Sequence, residues 1–179
     1  TDGSNLPLAG VRVLDFTQVM MGPCATQMLG DFGADVIKVE RPKEGDLSRN
    51  FFGERSELAM NNAVFASLNR NKRSIEIDTK SAVGKQMVYD LVRVSDVVVN
   101  NFRAGVMDRL GFGYETLKEI NPRIIFASGT GYGEVGPYAF KGGQDVLAQA
   151  MSGVMEKTAD PSIPHSIYPT TLCDYSAGM

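Results

Sequence analysis

Hydrophobic positions fall along this chain in short solid runs that alternate with stretches of helical spacing. Val11, Val13, Leu14 and Phe16 supply the run of a buried parallel strand. Met21 to Phe32 carries helical spacing, and Val36, Ile37 and Val39 return as a second strand ending at Glu40-Arg41. The order strand, turn, helix, strand predicts a βαβ unit. Ile75-Glu-Ile-Asp then alternates as a short strand, and Ser81 is placed to cap a helix through Val94 whose inward face is Val83, Met87, Val88, Leu91 and Val92. Asp96–Val99 reads as another buried strand. Helical pieces follow at Val106–Leu110 and Tyr114–Ile120, the latter closed by Asn121-Pro122, and Arg123–Ser128 is the next strand. A helix is expected from Gly143 to Gly153 with Val146, Leu147, Ala150 and Met151 inward, and a last one opens at Asp174 as its cap. Between these lie a polar loop from Pro42 toward Met60 and a Pro-containing stretch over Met155–Thr171. The alternation predicts the α/β class.

Ligands of open α/β sheets bind beyond the carboxyl ends of the strands, so Thr17–Met21 and Glu40–Lys43 are expected to face the site. The first of these turns, Thr17-Gln-Val-Met-Met-Gly-Pro, lacks the G-x-G-x-x-G that usually seats a dinucleotide pyrophosphate. The unit is therefore adapted to a different ligand. A glycine-rich exit follows the strand at Arg123–Ser128, Gly129-Thr-Gly-Tyr-Gly-Glu-Val-Gly-Pro, and permits close backbone approach to that ligand.

Composition narrows the picture. With 179 residues, 43% hydrophobic and 22% charged, the chain can bury one full core or most of a larger one. A net charge of -3 argues against a nucleic-acid binder, although local basic clusters stay open. No apolar run approaches the roughly 20 residues needed to cross a bilayer. Thr1–Pro7 does not read as a signal peptide, and the expected location is cytoplasmic. Cys24 and Cys173 with the lone His165 give neither a disulfide framework nor a zinc site, so no metal is expected. His165, in a Pro-rich loop, reads as a surface residue. The chain stops within the first turns of its last helix, and we expect a fragment of a longer polypeptide.

Leu8-Ala-Gly-Val-Arg-Val-Leu-Asp-Phe-Thr, Gly22-Pro, Gly33-Ala-Asp-Val-Ile-Lys-Val-Glu, Asn69-x-Asn-Lys-Arg-Ser, Asn101-Phe-Arg-x-Gly and the Gly-Tyr-Gly loop occur in that order. Jointly they resemble the family III CoA-transferases, which include formyl-CoA and carnitine CoA-transferases, with the α-methylacyl-CoA racemases as relatives. The resemblance implies a Rossmann-like open parallel sheet with helices on both faces, the large-domain portion of an interlocked-dimer fold. It makes residues 1–179 the N-terminal, CoA-binding part of that domain, in a chain about twice as long.

The same resemblance matches Asp174 to a catalytic aspartate. A carboxylate can attack a thioester to give a mixed anhydride and CoA thiolate, and the thiolate can return to leave an aspartyl-CoA thioester that an incoming acid opens. Coenzyme A is then a substrate, and no tightly bound cofactor enters. Without the collinear motifs Asp174 would read as an N-cap. For the phosphates of CoA the chosen cations are Arg41, Lys72, Arg73 and Arg109, expected to converge on one rim. Family analogy places Gln18, Val19, Met20, Asn101, Phe102 and Tyr132 along the CoA channel. Asp145 reads as a cap or supporting residue. The racemase relatives carry a histidine where this chain has Gln144, and a glutamine amide does not exchange a proton usefully near neutral pH, which favours transfer. A CoA-binding fragment without catalysis is the remaining alternative. The expected partners are an acyl-CoA, a carboxylic acid and, at full length, a second copy in a homodimer; which acids are exchanged is not written in these residues.

Overall fold

The computed structural model describes residues 5–50, 63–155, 162–163 and 166–179. Its five strands are β1 (Arg12–Asp15), β2 (Asp35–Glu40), β3 (Lys72–Glu76), β4 (Val97–Asn100) and β5 (Ile125–Ser128). They form one parallel sheet in the order β3-β2-β1-β4-β5. The helices are α1 (Met21–Asp31), α2 (Ala63–Leu68), α3 (Ala82–Arg93), α4 (Val106–Leu110), α5 (Tyr114–Ile120), α6 (Asp145–Met151) and α7 (Leu172–Gly178), with a 3₁₀ turn at Leu47–Asn50.

Alternation along the central strands explains why both faces of the sheet are covered. Leu14, Phe16, Ile37, Val39 and Val98 point to one side, where Val88 and Val92 of α3, Met107 of α4 and Leu117 of α5 close over them. Val13, Val36 and Val99 point to the other, against Leu29 of α1. Each fully buried aliphatic side chain here contributes roughly 1.5 to 3 kcal/mol. The Rossmann-like α/β architecture with helices on both faces is thus the fold of this chain.

Local readings differ in four places. The third strand starts at Lys72 and ends at Glu76, so Ile77 and Asp78 lie beyond it. It is an edge strand paired with β2 alone, and there polar Lys72, Arg73 and Ser74 are tolerated. In α3 the buried stripe is Gly84, Val88 and Val92, while Val83 is 73% exposed and Met87 also faces outward. The stripe follows from Gly84, whose missing side chain lets the helix start press on the Asp78 carbonyl: a Cβ would sit 1.9 Å from that oxygen. Ser81 caps the helix as its sequence suggests, its Oγ accepting the Gly84 N–H at 2.9 Å.

The third difference is α6, which turns Gln149 inward and leaves Val146, Leu147 and Met151 exposed, because its buried side packs on polar backbone instead of on the core. The fourth is the last helix. Thr171 is its N-cap, and Asp174 lies inside the first turn. The stretch around residues 51–60 and the surface reading of His165 fall outside the described residues.

Candidate active site

In this strand order the chain leaves β1 toward one side of the sheet and β4 toward the other, so the loops after these neighbouring strands part and leave a crevice between them. One side chain spans it. Asn101, first after β4, accepts the Gln18 N–H with Oδ1 at 2.8 Å and donates from Nδ2 to the Gln18 carbonyl at 2.8 Å.

The turn after β1 is held from below as well. Val19 has φ 71°, in the left-handed region that a β-branched residue seldom enters. Its N–H donates to Asp46 Oδ1 at 3.2 Å. Asp46 is fully buried and ion-paired with buried Lys38 at 2.8 Å, and Lys38 Nζ donates to the Thr17 carbonyl at 2.7 Å. Burial works to raise the Asp46 carboxyl, but the Lys38 ammonium and the Ser48 hydroxyl and N–H outweigh it and hold the group below its ordinary value. Strain in the turn is thereby offset by a charge pair placed under it.

The loop after β2 is fixed by Glu40. Arg49 binds its two carboxylate oxygens at 2.7 and 2.8 Å, the Asp46 N–H donates to it at 2.8 Å, and Ser74 Oγ donates from β3. Burial raises this carboxyl, and the combined donors overcome that to bring it to about 2.

These loops, with the exit of β5, the approach to α6 and the start of α7, enclose a cavity of about 770 Å³. Gln18, Val19, Met20 and Met21 form its floor, and Asn101 and Phe102 one wall. Across it stand Gly129–Tyr132 and Gly143–Asp145, whose backbones touch: a Cβ on Gly131 would lie 2.4 Å from the Gly143 Cα, and one on Gly143 would lie 2.5 Å from the Gly131 Cα. Only glycine fits at either point. Asp174 and Cys173 reach the same space from α7.

Among the described residues three cations line the cavity, Arg41, Arg103 and Lys141. Arg41 is exposed and pairs loosely with Glu44 at 3.5 Å. The Arg103 guanidinium lies over Gly142, where a Cβ would meet Nη2 at 2.6 Å. Lys141 Nζ sits 4.1 Å from the centroid of Tyr138, which in turn packs edge-on against Tyr132 at 5.8 Å. Arg103 and Lys141 were not among the sequence candidates. Arg103 belongs to the Asn101-Phe-Arg motif and Lys141 adjoins the Gly142-Gly143 pair, so their neighbours carried the signal.

Of the sequence candidates, Gln18, Val19, Met20, Arg41, Asn101, Phe102, Tyr132 and Asp174 meet at this one cavity. Lys72, Arg73 and Arg109 do not line it, and the four chosen cations do not share a rim. Lys72 is enclosed: its ammonium reaches Asp15, the Pro23 carbonyl and Asn69, and burial brings it down to about 8. Arg73 grips Asp35 at the amino end of β2, the far edge of the sheet. Arg109 is exposed on α4, its guanidinium beside Gly105. Thr17 and Glu40 are buried supports of the turns, not cavity residues. Among the described residues no cluster of His, Cys, Asp or Glu could hold a metal ion, and no helix is long and apolar enough to cross a membrane.

Asp174 is set apart electrostatically. Its N–H, one of the free donors of the first turn of α7, donates to Asp145 Oδ1 at 2.9 Å, since Thr171 supplies no side-chain cap. Burial pushes the Asp174 carboxyl up, and the negative charge of Asp145 adds to the shift. The group is therefore a more basic, poorly solvated carboxylate facing a cavity, a suitable nucleophile.

Sheet order, the crevice between β1 and β4 and the cation-lined cavity define a doubly wound α/β fold with a candidate ligand site at the carboxyl edge of the sheet. The chain belongs to CoA-transferase family III, whose model it matches over residues 8–179. It is 43% identical over 173 residues to formyl-CoA:oxalate CoA-transferase of Escherichia coli O6:H1, covering 97% of this chain and 41% of that protein. It is 42% identical over 178 residues to an acyl-CoA transferase of Fusarium pseudograminearum, covering 96% of this chain and 39% of that one. Among solved structures, Rv3272 from M. tuberculosis superposes with a TM-score of 0.86 at 39% identity, over 97% of this chain and 46% of that one. A CAIB/BAIF family protein from Brucella suis gives 0.85 at 40%, over 97% and 46%. The chain thus spans about two fifths of the length of the curated relatives it matches.

Proposed function

We propose that the protein carrying this chain transfers coenzyme A from an acyl-CoA to a free carboxylic acid, with Asp174 as the acyl acceptor. The observation that carries this reading is the position of Asp174, in the first turn of a helix, desolvated beside Asp145 and open to a cavity lined by Arg41, Arg103 and Lys141. Relatives named formyl-CoA:oxalate CoA-transferase and acyl-CoA transferase support the reaction class.

A carboxylate oxygen of Asp174 attacks the thioester carbonyl; the C–S bond breaks, giving a mixed anhydride and CoA thiolate. The thiolate attacks the aspartyl carbonyl, releasing the donor acid and leaving an aspartyl-CoA thioester. The acceptor carboxylate opens this thioester to a second anhydride, and the thiolate takes the new acyl group, restoring the aspartate. No metal or redox cofactor is needed for these steps. The start of α1 opens on the cavity with no acidic residue in its first turn, which favours anionic ligand groups there. Gln18 Oε1 is buried without a hydrogen-bond partner among the described residues, and a bound substrate can supply one. The phosphates fall to Arg41, Arg103 and Lys141, since Lys72 and Arg73 are committed elsewhere. The resemblance supports an interlocked homodimer for the whole protein.

Gln144 lines the cavity at the position where the racemase relatives carry histidine, and its amide gives no proton relay, so racemisation gains no support. The deciding experiment is Asp174→Ala in the full-length protein. Transfer between an acyl-CoA and an acid should vanish while CoA binding persists, and undiminished turnover would remove Asp174 from the mechanism.

A further inference from the structure

Helix α6 presents an anomaly. Its apolar residues Val146, Leu147 and Met151 face outward, and the one side chain it buries deeply is the amide of Gln149, 1% exposed. Such a group is buried only when its hydrogen bonds are made. Gln149 Oε1 accepts the Tyr168 N–H at 2.7 Å, and Nε2 donates both to the Thr170 carbonyl at 3.2 Å and to Asp145 Oδ2. The other oxygen of the same carboxylate, Oδ1, accepts the Asp174 N–H. One glutamine therefore ties down the segment that leads into α7 and also orients the carboxylate that caps α7 at Asp174.

We infer that Gln149 is a positioning residue for the acyl-accepting carboxylate, acting through Asp145 and through the Tyr168–Thr170 backbone. The inference rests on the proposed role of Asp174 and deepens it. A short helix such as α7 has little rigidity of its own; its far end rests on α1, where Gly178 lies against the Met21 carbonyl, while its first turn, which nothing from Thr171 caps, takes its hydrogen bond at Asp174 from Asp145 of α6. Gln149 touches neither the cavity nor Asp174 itself. Its removal should lower the rate of acyl transfer without changing how firmly acyl-CoA is held.

Two substitutions in the full-length protein separate positioning from mere support. Gln149→Met keeps the volume and loses every hydrogen bond. It is expected to lower kcat about 10- to 100-fold, the scale of a small misplacement of a reacting group, with KM for the acyl-CoA donor near wild type. Gln149→Glu, when ionised, still accepts the Tyr168 N–H but offers no donor to Asp145 and sets a like charge against it; when protonated it regains one donor. Among the described residues, the titratable groups around it are Asp145 on its own helix, Cys173 and Asp174 on α7 and Tyr168 on the adjoining segment. At pH values above the acid limb of the profile, the ratio of Gln149→Glu to wild-type kcat should therefore climb as pH falls, whereas the Gln149→Met ratio stays flat.

A folded Gln149→Met enzyme with wild-type kcat, a loss carried by KM alone, or a Gln149→Glu ratio independent of pH would each overturn the inference. If neither variant folds, Gln149 belongs to the stability of the domain and the inference is likewise overturned. Asp174→Ala assayed alongside keeps the two readings apart. Transfer surviving Asp174→Ala refutes the proposed mechanism, whereas transfer lost there but intact in Gln149→Met refutes only the role of Gln149.

Discussion

Asn101 holds Gln18 by both polar groups of its backbone, with two hydrogen bonds of 2.8 Å that cross from the exit of β4 to the exit of β1. The two loops that part at the centre of the sheet are thereby joined where the cavity begins. Replacing Asn101 by Ala leaves both Gln18 groups without that partner, at a cost of about 1 to 3 kcal/mol. Denaturant unfolding should show that loss. Isothermal titration of the full-length protein with CoA should show weaker binding, since Gln18 to Met21 line the cavity.

The Lys38–Asp46 pair offers a test of strain under the same turn. Asp46→Ala strands a buried ammonium and should destabilise the fold by about 3 to 5 kcal/mol. Replacing both partners, Lys38→Met with Asp46→Leu, should recover most of the stability. It should not recover CoA affinity, because the Val19 N–H still lacks the acceptor that accompanies its left-handed conformation. Full recovery of both would show that the pair serves the fold alone.

Glu40 predicts an acid-sensitive contribution to stability. Its carboxyl lies at about 2 in the fold against an ordinary 4.5, so the unfolded chain binds the proton more readily. The contribution is fully present above about pH 4.5 and is lost as pH falls toward 2. With the partly solvent-facing Arg49 screening the pair, it amounts to about 1 to 2 kcal/mol. Unfolding midpoints of Glu40→Gln and wild type should differ at neutral pH and converge in acid.

The opposite shift at Asp174 predicts a kinetic signature. A nucleophilic carboxylate must be ionised, and burial together with Asp145 raises the pH at which it ionises. The acid limb of kcat/KM in the full-length enzyme should lie above the range of an ordinary aspartate. Asp145→Asn keeps an acceptor for the Asp174 N–H and removes the charge, so it should move that limb toward lower pH. A limb that stays in place would take Asp145 out of the electrostatics.

Cations give a simple contrast. Arg103→Ala and Lys141→Ala should each weaken CoA binding and reduce its dependence on salt, because these side chains line the cavity. Arg73→Ala should leave affinity alone, since Arg73 faces Asp35 at the other end of the sheet. Equal effects from all three would point to a general field in place of local contacts.

The strands and their alternation with helices were legible in the sequence because Val13, Leu14, Val36 and Val98 are buried by an arrangement that demands unbroken apolar runs. The floor of the cavity was legible too, since Gln18 to Met20 must follow β1 at the carboxyl edge. What the sequence hid were the partners that claim Lys72 and Arg73 and the backbone that anchors α6. Lys72 and Arg73 look like free cations along the chain, yet Asp15 and Asp35, distant in sequence, claim them. Val146 and Leu147 look like an inward face, but α6 is anchored through Gln149 on backbone that helical periodicity does not register. Asp46 was invisible for the same reason: its meaning lies in Lys38 and in a backbone N–H on another loop.

Where Gly131 and Gly143 meet in the cavity lining, backbone lies against backbone and there is no side chain to repack. An alanine at either position has to drive the glycine-rich exit of β5 away from the segment that delivers Asp145 to the helix of Asp174. On the proposed function, tailoring the protein to a bulkier acid by trimming or swelling residues at that seam would displace Asp145 and Asp174 before it enlarged the room, so any such redesign has to begin on the methionine side, at Met20 and Met21.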